Sequence, residues 1–228
     1  LAQAPDWLWG DFMQWVLAAP LAAAAPGIAD LHLACITPYL GELAGWMERN
    51  RGSAAVRAAA AAFLDRSTPA FPLQTTLNLR PYAVARGRLL TAIARARRSD
   101  LARTYLPRVG RPLRVGILAR DFTDRPENRM LLPLLQQVDR DQASLILIVA
   151  EHRRTPGEQA FRRVAAEFHV LPPEREARVQ ACARLACDVL LFPADLAEFD
   201  DDLTSLASQR LAPVQALLPG SLFTTGLP

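Results

Sequence analysis

The chain has 228 residues, of which 51% are hydrophobic and 21% are charged, and its formal net charge is +3. This composition excludes an intrinsically disordered chain, and the length suits one large domain or two smaller ones. The longest apolar stretch, residues 15–25, is interrupted by Pro20 and is shorter than the roughly 20 residues that cross a bilayer. We therefore expect no membrane partner.

Residues 1–106 are predicted to form an all-helical domain, for which degenerate helical repeats are one arrangement. One helix follows Ser53, a good N-cap, and runs through the alanine-rich residues 54–64. A second is predicted over 84–101, where arginines surround an apolar stripe. The segment 80–114 holds ten arginines and a single acid. We favour a solvated or domain-bridging helix over an RNA-binding one there, so no nucleic-acid partner is expected.

Residues 112–228 differ in pattern, because short apolar runs alternate with helical ones. Strands are predicted at residues 114–119, 144–150, 168–171, 188–192 and 214–218. Helices are predicted at residues 127–138, 157–167, 174–186 and 203–209. Pro133 should kink the first of these helices or delay its start. The alternation predicts a Rossmann-like parallel sheet, so the fold class is α/β behind an all-helical N-terminal region.

The cysteines and histidines indicate no metal site. The chain has an odd number of cysteines, Cys35, Cys182 and Cys187, and their spacing does not match that of zinc ligands. We therefore expect reduced, buried thiols in a cytoplasmic protein. The three histidines are weak catalytic candidates. One falls in a predicted helix, one in a predicted strand and one in a charged loop, and the spacing supports no Ser/His/Asp arrangement. The three aspartates at 200–202 are better explained as a solvated helix start than as metal ligands.

In a parallel sheet of this kind, ligands bind outside the carboxyl ends of the strands. The loop after the first predicted strand, residues 120–129, lacks the G-x-G-x-x-G and P-loop patterns but holds three arginines, two aspartates and a glutamate. An arginine here is suited to bidentate binding of a phosphate or carboxylate. Alternatively, Asp121 or Asp124 caps the following helix while the arginines are solvated. The sequence leaves both interpretations open.

The loop after the last predicted strand, residues 218–228, combines glycines with hydroxyl side chains. Gly220 and Gly226 allow a ligand to approach the backbone closely, and Thr224 or Thr225 is suited to donate to a sugar or phosphate oxygen. An ordinary turn with hydroxyl caps has the same composition.

Two groups of motifs in the second half belong together. The first group is R-V-G-I-L-A-R-D-F at 114–122, R-P at 125–126 and L-L-P-L-L at 131–135. The second is R-L-A-P-V-Q at 210–215, Gly220 and T-T-G-L-P at 224–228. In this order and spacing they resemble the catalytic region of the O-GlcNAc-transferase-like glycosyltransferases, glycosyltransferase family 41. The resemblance covers roughly residues 112–228, and the helical half stands where that family carries tetratricopeptide repeats or another all-helical domain.

The resemblance implies a GT-B enzyme that transfers a sugar from a nucleotide sugar, typically UDP-GlcNAc, to the side chains of an acceptor protein or peptide. In that fold two Rossmann-like domains face each other across a cleft, and the second holds most of the donor nucleotide. We expect that donor-binding domain to be missing from this chain, which alone should have little activity. Asp121 and Arg125 are the expected catalytic residues on the acceptor side of the cleft. The donor sugar is expected near Gly220, Thr224 and Thr225.

Two departures from the family pattern bear on the chemistry. Arg125 stands where the family usually has a histidine before proline, and a guanidinium, which stays protonated, cannot act as a general base. Phe223 brings a ring to the position of a glycine in the family's G-Y-P-G segment. The alternative hypothesis is therefore a non-catalytic interaction module that keeps the fold and presents its helical face to a partner protein.

Overall fold

The computed structural model describes residues 5, 8–18, 22–66, 71–96, 111–193, 201–218 and 226. The chain divides into two compact units. The helical unit holds residues 1–100 with 197–201 and 223–228, and the sheet unit holds residues 101–196 with 202–222.

The described part of the helical unit is a group of helices around an apolar core. Its helices are α1 (Trp9–Leu17), α2 (Ile28–Arg49), α3 (Ala54–Arg66) and α4 (Arg80–Ala96), with a 3-10 turn at Pro72–Gln74. Helix α2 packs on α4, and α1 packs on α3. The rings of Trp9 and Trp46 stack in the core with their centroids 4.2 Å apart. None of the described helices has both the length and the apolar character that a membrane span requires.

The starts of α3 and α4 are set by side-chain caps. Ser53 begins α3 as predicted, because its Oγ accepts a hydrogen bond from the Val56 N–H at 3.1 Å. Helix α4 begins at Arg80, four residues before the predicted start. The Asn78 side chain accepts from the Arg80 N–H at 2.9 Å, and Pro81 lies in the first turn, where its missing N–H costs no helical bond. These two residues are the start signals that the prediction of α4 overlooked.

Replacing Ser53 by alanine is expected to lower the free energy of unfolding by about 1 kcal/mol, because the Val56 N–H loses its acceptor. Ser53→Gly is the matched control, since glycine at an N-cap costs only about a few tenths of a kcal/mol. Urea unfolding followed by tryptophan fluorescence measures both variants, because all four tryptophans lie in the helical half. Equal losses in the two variants would argue against the cap.

Two expectations about the helical unit are wrong. Arg86 is one of the arginines predicted to surround the apolar stripe of a solvated or domain-bridging helix, but it is buried, because it follows the buried Tyr82 by one helical turn and lies on the same face of α4. Cys35, predicted to be buried, is exposed, because α2 turns Leu33 and Ile36 toward the core instead.

The sheet unit confirms the predicted fold class, with a parallel sheet and intervening helices. Its strands are β1 (Leu113–Ala119), β2 (Ala143–Val149), β3 (Glu167–Val170), β4 (Val189–Phe192) and β5 (Val214–Leu217). Its helices are α5 (Pro126–Gln136), α6 (Pro156–Val164), α7 (Arg175–Arg184) and α8 (Asp201–Ala207). All described strands pair in parallel in the order β3-β2-β1-β4-β5. Each strand begins and ends within one residue of the predicted positions. Pro133 lies inside α5 and does not delay the start of that helix.

Apolar residues on both faces of the central strands form the sheet core. On one face, alternate residues of β1 and β2 pack with α5, α6 and the loop between β1 and α5 in a single apolar cluster. On the other face, Leu118, Ile146 and Ile148 are fully buried. Cys182 and Cys187 are buried as predicted, and burial raises the pKa of their thiols to about 12 and about 11.

Gly116 in β1 has no room for a side chain. A Cβ at this position would lie 2.7 Å from the Cys187 Sγ and 2.9 Å from the Leu190 Cδ1. Gly116→Ala is therefore expected to lower the free energy of unfolding by about 1–3 kcal/mol through overpacking. Urea unfolding followed by circular dichroism measures the loss. In the double variant Gly116→Ala/Cys187→Ala the clash with sulfur is gone, so its loss should be smaller than the two single losses together, and strictly additive losses would contradict this account.

Candidate functional site

The order of the strands places two charged loops at the ligand-binding edge of the sheet. The chain runs from β1 outward through β2 to β3, and then returns to the other side of β1 with β4 and β5. The strand order therefore reverses beside β1, which is the switch point where open α/β sheets bind ligands. The loop after β1, residues 120–125, lies at this point. The loop after β2, residues 150–155, lies beside it, and the Glu151 N–H donates to the Arg120 carbonyl at 2.7 Å.

Asp121 is the buried centre of the loop after β1. Its side chain is only 2% exposed. Its Oδ1 accepts hydrogen bonds from the Thr123 N–H at 3.0 Å and from the Thr123 hydroxyl at 2.6 Å. Its Oδ2 lies 3.4 Å from Arg125 Nη2 and 3.9 Å from Arg153 Nε, so one oxygen faces a guanidinium from each loop. The carboxylate therefore closes its own turn and holds two arginines of different loops together.

These contacts favour the ionised carboxylate. Burial raises the pKa of Asp121, but the hydrogen bonds from Thr123 and the charges of Arg125 and Arg153 outweigh burial, and the net shift is downward. Asp121 is thus a fixed negative charge at neutral pH.

Neither aspartate of this loop caps α5, so that alternative is wrong. Arg125 occupies the N-cap of α5 and makes no side-chain cap hydrogen bond. Asp124 instead accepts from Arg129 at 2.6 and 2.9 Å in a bidentate pair, and that hydrogen bonding lowers the pKa of Asp124. The Asp121 side chain is turned back onto Thr123. The Asp121 side chain forms a local Asx-type turn instead of a helix cap. Sequence alone does not distinguish these two roles of an aspartate.

Buried side chains fix the shape of the loop from below. The Asn128 side chain, on the first turn of α5, donates to the Thr123 carbonyl at 2.8 Å. Phe122 is fully buried and stacks on Phe161 of α6, with ring centroids 4.5 Å apart. A Cβ on Gly157 would lie 3.0 Å from the Phe122 carbonyl oxygen, so a glycine there lets the start of α6 approach the loop. The loop is thereby anchored to α5 and α6.

A chain of ion pairs runs across both loops. Arg120 Nε lies 3.6 Å from Glu151 Oε1, and Arg153 contacts Glu151 as well as Asp121, which in turn faces Arg125. Three guanidinium groups thus alternate with two carboxylates. We call these five residues, Arg120, Glu151, Arg153, Asp121 and Arg125, the arginine chain.

The loop after β2 holds a second buried carboxylate. Glu158 is 1% exposed, and its Oε2 accepts from the Arg153 N–H at 3.0 Å, while its Oε1 lies 2.9 Å from His152 Nε2. Thr155 caps α6 by accepting from the Glu158 N–H at 3.3 Å. Glu158 therefore fixes the backbone from which Arg153 reaches Asp121.

Sequence reasoning missed Arg153, Asn128 and Glu158 as parts of this site. The T-x-x-E pattern at 155–158 is a capping-box signature and marks Glu158 as a candidate for local backbone bonding. No comparable signal pointed to Asn128 or Arg153, because their roles depend on the distance between loops that are far apart in sequence.

The predicted donor-sugar residues Gly220, Thr224 and Thr225 lie outside the described residues. Gly226 is described, with a φ of 66°, and a Cβ there would overlap the Ala83 carbonyl oxygen of α4. Gly226 thus allows a close approach of the protein's own backbone, at Ala83, rather than of a ligand. Gln215 of β5 accepts from the Leu211 N–H at 2.7 Å and donates to the Ala207 carbonyl at 2.9 Å. Among the described residues, no group of three His, Cys, Asp or Glu side chains is arranged to bind a metal ion.

Comparisons with known proteins agree with the fold. No protein-family profile matches the chain, and no curated protein sequence matches it. Among solved structures, a mutant O-GlcNAc transferase of Thermobaculum terrenum matches with a TM-score of 0.54 and 20% sequence identity. The match covers 89% of this chain and 39% of that one, so the chain spans well under half the length of its structural neighbour. At this identity the likeness concerns the fold: the chain folds like part of an O-GlcNAc transferase.

Proposed function

We propose that this chain forms the acceptor side of a glycosyltransferase of family 41 that transfers a sugar, GlcNAc as the first candidate, from a nucleotide sugar to protein side chains. One coincidence carries the proposal. The segment that resembles the family's catalytic region, residues 114–126, contains the buried, charge-paired loop at the switch point of a sheet whose fold is like that of an O-GlcNAc transferase. Fold and motif are independent observations, and both point to the same enzyme class.

In this proposal Asp121 and Arg125 bind and orient the acceptor. Arg125 is 48% exposed, and its guanidinium retains N–H donors for a backbone carbonyl or a side chain of the acceptor. Asp121 fixes the position of Arg125 from beneath. Neither group is proposed as the general base, because a guanidinium stays protonated and a carboxylate with a lowered pKa is a weak base.

Gly220, Thr224 and Thr225 are proposed to contact the donor sugar. The donor nucleotide, UDP in the first candidate, is proposed to bind mainly to a second Rossmann-like domain outside these 228 residues. No cofactor or metal is part of the proposed reaction, and the nucleotide sugar is a substrate.

The test is a transfer assay on the protein expressed from its complete reading frame. Labelled UDP-GlcNAc and acceptor peptides rich in serine and threonine should give labelled peptide. Arg125→Ala should reduce kcat/KM about tenfold, the effect of one lost charge-assisted contact. Arg163→Ala is the matched control: Arg163 is an exposed arginine in the last turn of α6, at the opposite end of that helix from the loop, and should have no effect. Absence of transfer with UDP-GlcNAc and with other nucleotide sugars would overturn the proposal.

A non-catalytic interaction module remains the second candidate function. It is favoured by one observation, that the loop at the switch point pairs Arg125 with an ionised Asp121 and so offers no evident general base. Calorimetric titration of the same protein with nucleotide sugars separates the two candidates. Binding of a donor supports the enzyme, whereas absence of donor binding together with capture of a partner by the helical unit supports the module.

A further inference from the structure

The two loops at the carboxyl edge of β1 and β2 place three half-exposed arginines around one buried carboxylate. The guanidinium-bearing side chains of Arg120, Arg125 and Arg153 are 42%, 48% and 53% exposed. The Asp121 side chain between them is 2% exposed. A solute that approaches this edge therefore meets the arginines before it meets that carboxylate.

The charges of this edge do not cancel. The arginine chain holds three cations and two anions, and Arg154, exposed and adjacent to it, adds a fourth cation. Arg154 has a backbone φ of 54°, the left-handed region that a non-glycine residue rarely adopts, in the turn that leads into α6. Asp124, the third carboxylate of these loops, is 71% exposed and pairs with Arg129 of α5. Residues 120–125 and 150–155 together hold four arginines and three carboxylates, a net charge of +1, at the place where a parallel sheet binds ligands.

The arginines nearest to Asp121 retain hydrogen-bonding capacity. A charge-assisted pair has an N···O distance of about 2.7–2.9 Å, and Arg129 of α5 reaches Asp124 of this loop at 2.6 and 2.9 Å. Arg125 and Arg153 approach Asp121 only to 3.4 and 3.9 Å. A guanidinium has five N–H donors, and the contacts with Asp121, together with the hydrogen bond from Arg153 to Glu151, engage only some of the donors of these half-exposed side chains. The carboxylate of a ligand could approach these guanidinium groups more closely than the Asp121 carboxylate does.

We infer that Arg125, Arg153 and Arg154 bind the carboxylates of an acidic acceptor peptide. This inference rests on the proposed function and specifies its substrate class: a polypeptide with Asp or Glu side chains beside the serine or threonine that receives the sugar. Arg125 stands where the resembling family has a histidine, so a permanent cation replaces a titratable ring, and a guanidinium matches the geometry of a carboxylate.

The same surface is poorly suited to nucleic acid. Single-stranded nucleic acid binds where bases stack on exposed aromatic rings beside a continuous positive groove. Phe122, the one Phe, Tyr or Trp in the two loops, is fully buried. Glu151, 39% exposed between Arg120 and Arg153, interrupts the positive charge, so this edge lacks the continuous positive groove that a run of phosphates needs. Separate carboxylates on a peptide fit separate guanidinium groups.

The test measures binding to the chain itself without any donor. A fluorescent serine peptide with flanking glutamates is compared by anisotropy with the same peptide carrying glutamines. The glutamate peptide should bind about tenfold more tightly, the difference of one charge-assisted pair, and salt should weaken its binding. Equal affinity of the two peptides, absence of binding by both, or displacement of the glutamate peptide by equimolar single-stranded RNA would overturn the inference.

Variants locate the surface. Arg125→Gln and Arg153→Gln should each weaken binding of the glutamate peptide by roughly threefold to tenfold, whereas Arg163→Gln makes the same change in net charge at the other end of α6 and should leave it unaltered. Arg154→Gly should weaken binding while leaving the chain at least as stable, because glycine accepts a positive φ without strain. An equal effect of Arg163→Gln would show that only the net charge matters and would overturn the assignment.

Binding and transfer fail separately in this design. If the glutamate peptide binds selectively but the protein from the complete reading frame transfers no sugar, the acidic-peptide surface stands and the glycosyltransferase does not. If sugar is transferred equally to both peptides and the chain binds both equally, the glycosyltransferase stands and the acidic-peptide surface does not.

Discussion

Replacing Phe122 by alanine is expected to lower the free energy of unfolding by about 3–5 kcal/mol, the usual cost of removing a buried aromatic side chain. Phe122 is fully buried, belongs to the apolar cluster beneath β1 and β2, and stacks on Phe161 at 4.5 Å between centroids. It lies in a loop rather than in a helix or strand, so its burial anchors Asp121 and Thr123 on either side. We therefore expect binding of the glutamate peptide to weaken in parallel.

Urea unfolding followed by far-ultraviolet circular dichroism measures the loss of stability. Phe122→Leu is the matched control, since it keeps most of the apolar volume and should cost clearly less than the alanine variant. In a double-mutant cycle with Phe161→Ala, the ring pair should show a coupling of about 0.5–1.5 kcal/mol. A loss below about 1 kcal/mol for Phe122→Ala would be typical of a surface residue and would contradict its place in the core.

The strands of the sheet unit could be predicted from sequence, because their signal is local. The run L-I-L-I-V at 145–149 is apolar on both faces, as a strand covered on both sides of a parallel sheet must be, and it is completely buried in β2. Helix ends depended on single side chains. Ser53 was recognised as a cap, whereas Asn78 with Pro81 was overlooked, and the predicted start of α4 was displaced by one turn.

The candidate site could be predicted only in part. A loop after the first strand of a parallel sheet lies at the carboxyl edge, so the positions of Asp121 and Arg125 followed from topology. The bond between the Asp121 carboxylate and Thr123, and the approach of Arg153, depend on side-chain directions and on the loop after β2, which periodicity does not encode. The burial of Arg86 escaped prediction because arginine is rarely buried, although its spacing from Tyr82 placed it on the apolar face of α4.

Asp121→Asn is expected to lower the free energy of unfolding by about 1.5–3 kcal/mol at neutral pH, the range for hydrogen bonds to a charged group. The amide keeps an oxygen that can accept from Thr123, but it removes the negative charge that holds Arg125 and Arg153. Asp121→Ala also leaves the Thr123 N–H without its acceptor and should cost more. Asp124→Asn is the matched control, because the ion pair of Asp124 with Arg129 is exposed and exposed pairs contribute at most about 1 kcal/mol.

The pH dependence identifies the charge of Asp121 as the cause. Its pKa in the folded chain is lowered, so the ionised carboxylate stabilises the fold fully above the ordinary aspartate pKa of about 3.9. As pH falls below that value and through the lowered pKa, the carboxylate is protonated and this stabilisation is lost. The difference in unfolding free energy between the wild type and Asp121→Asn should therefore be constant from near-neutral pH down to about pH 5 and should shrink in more acidic buffer. A difference that stays unchanged down to pH 2, or one that grows as pH falls, would mean that the carboxylate acts through its shape rather than its charge. The charge of Asp121 would then not explain why Arg125 and Arg153 lie close together.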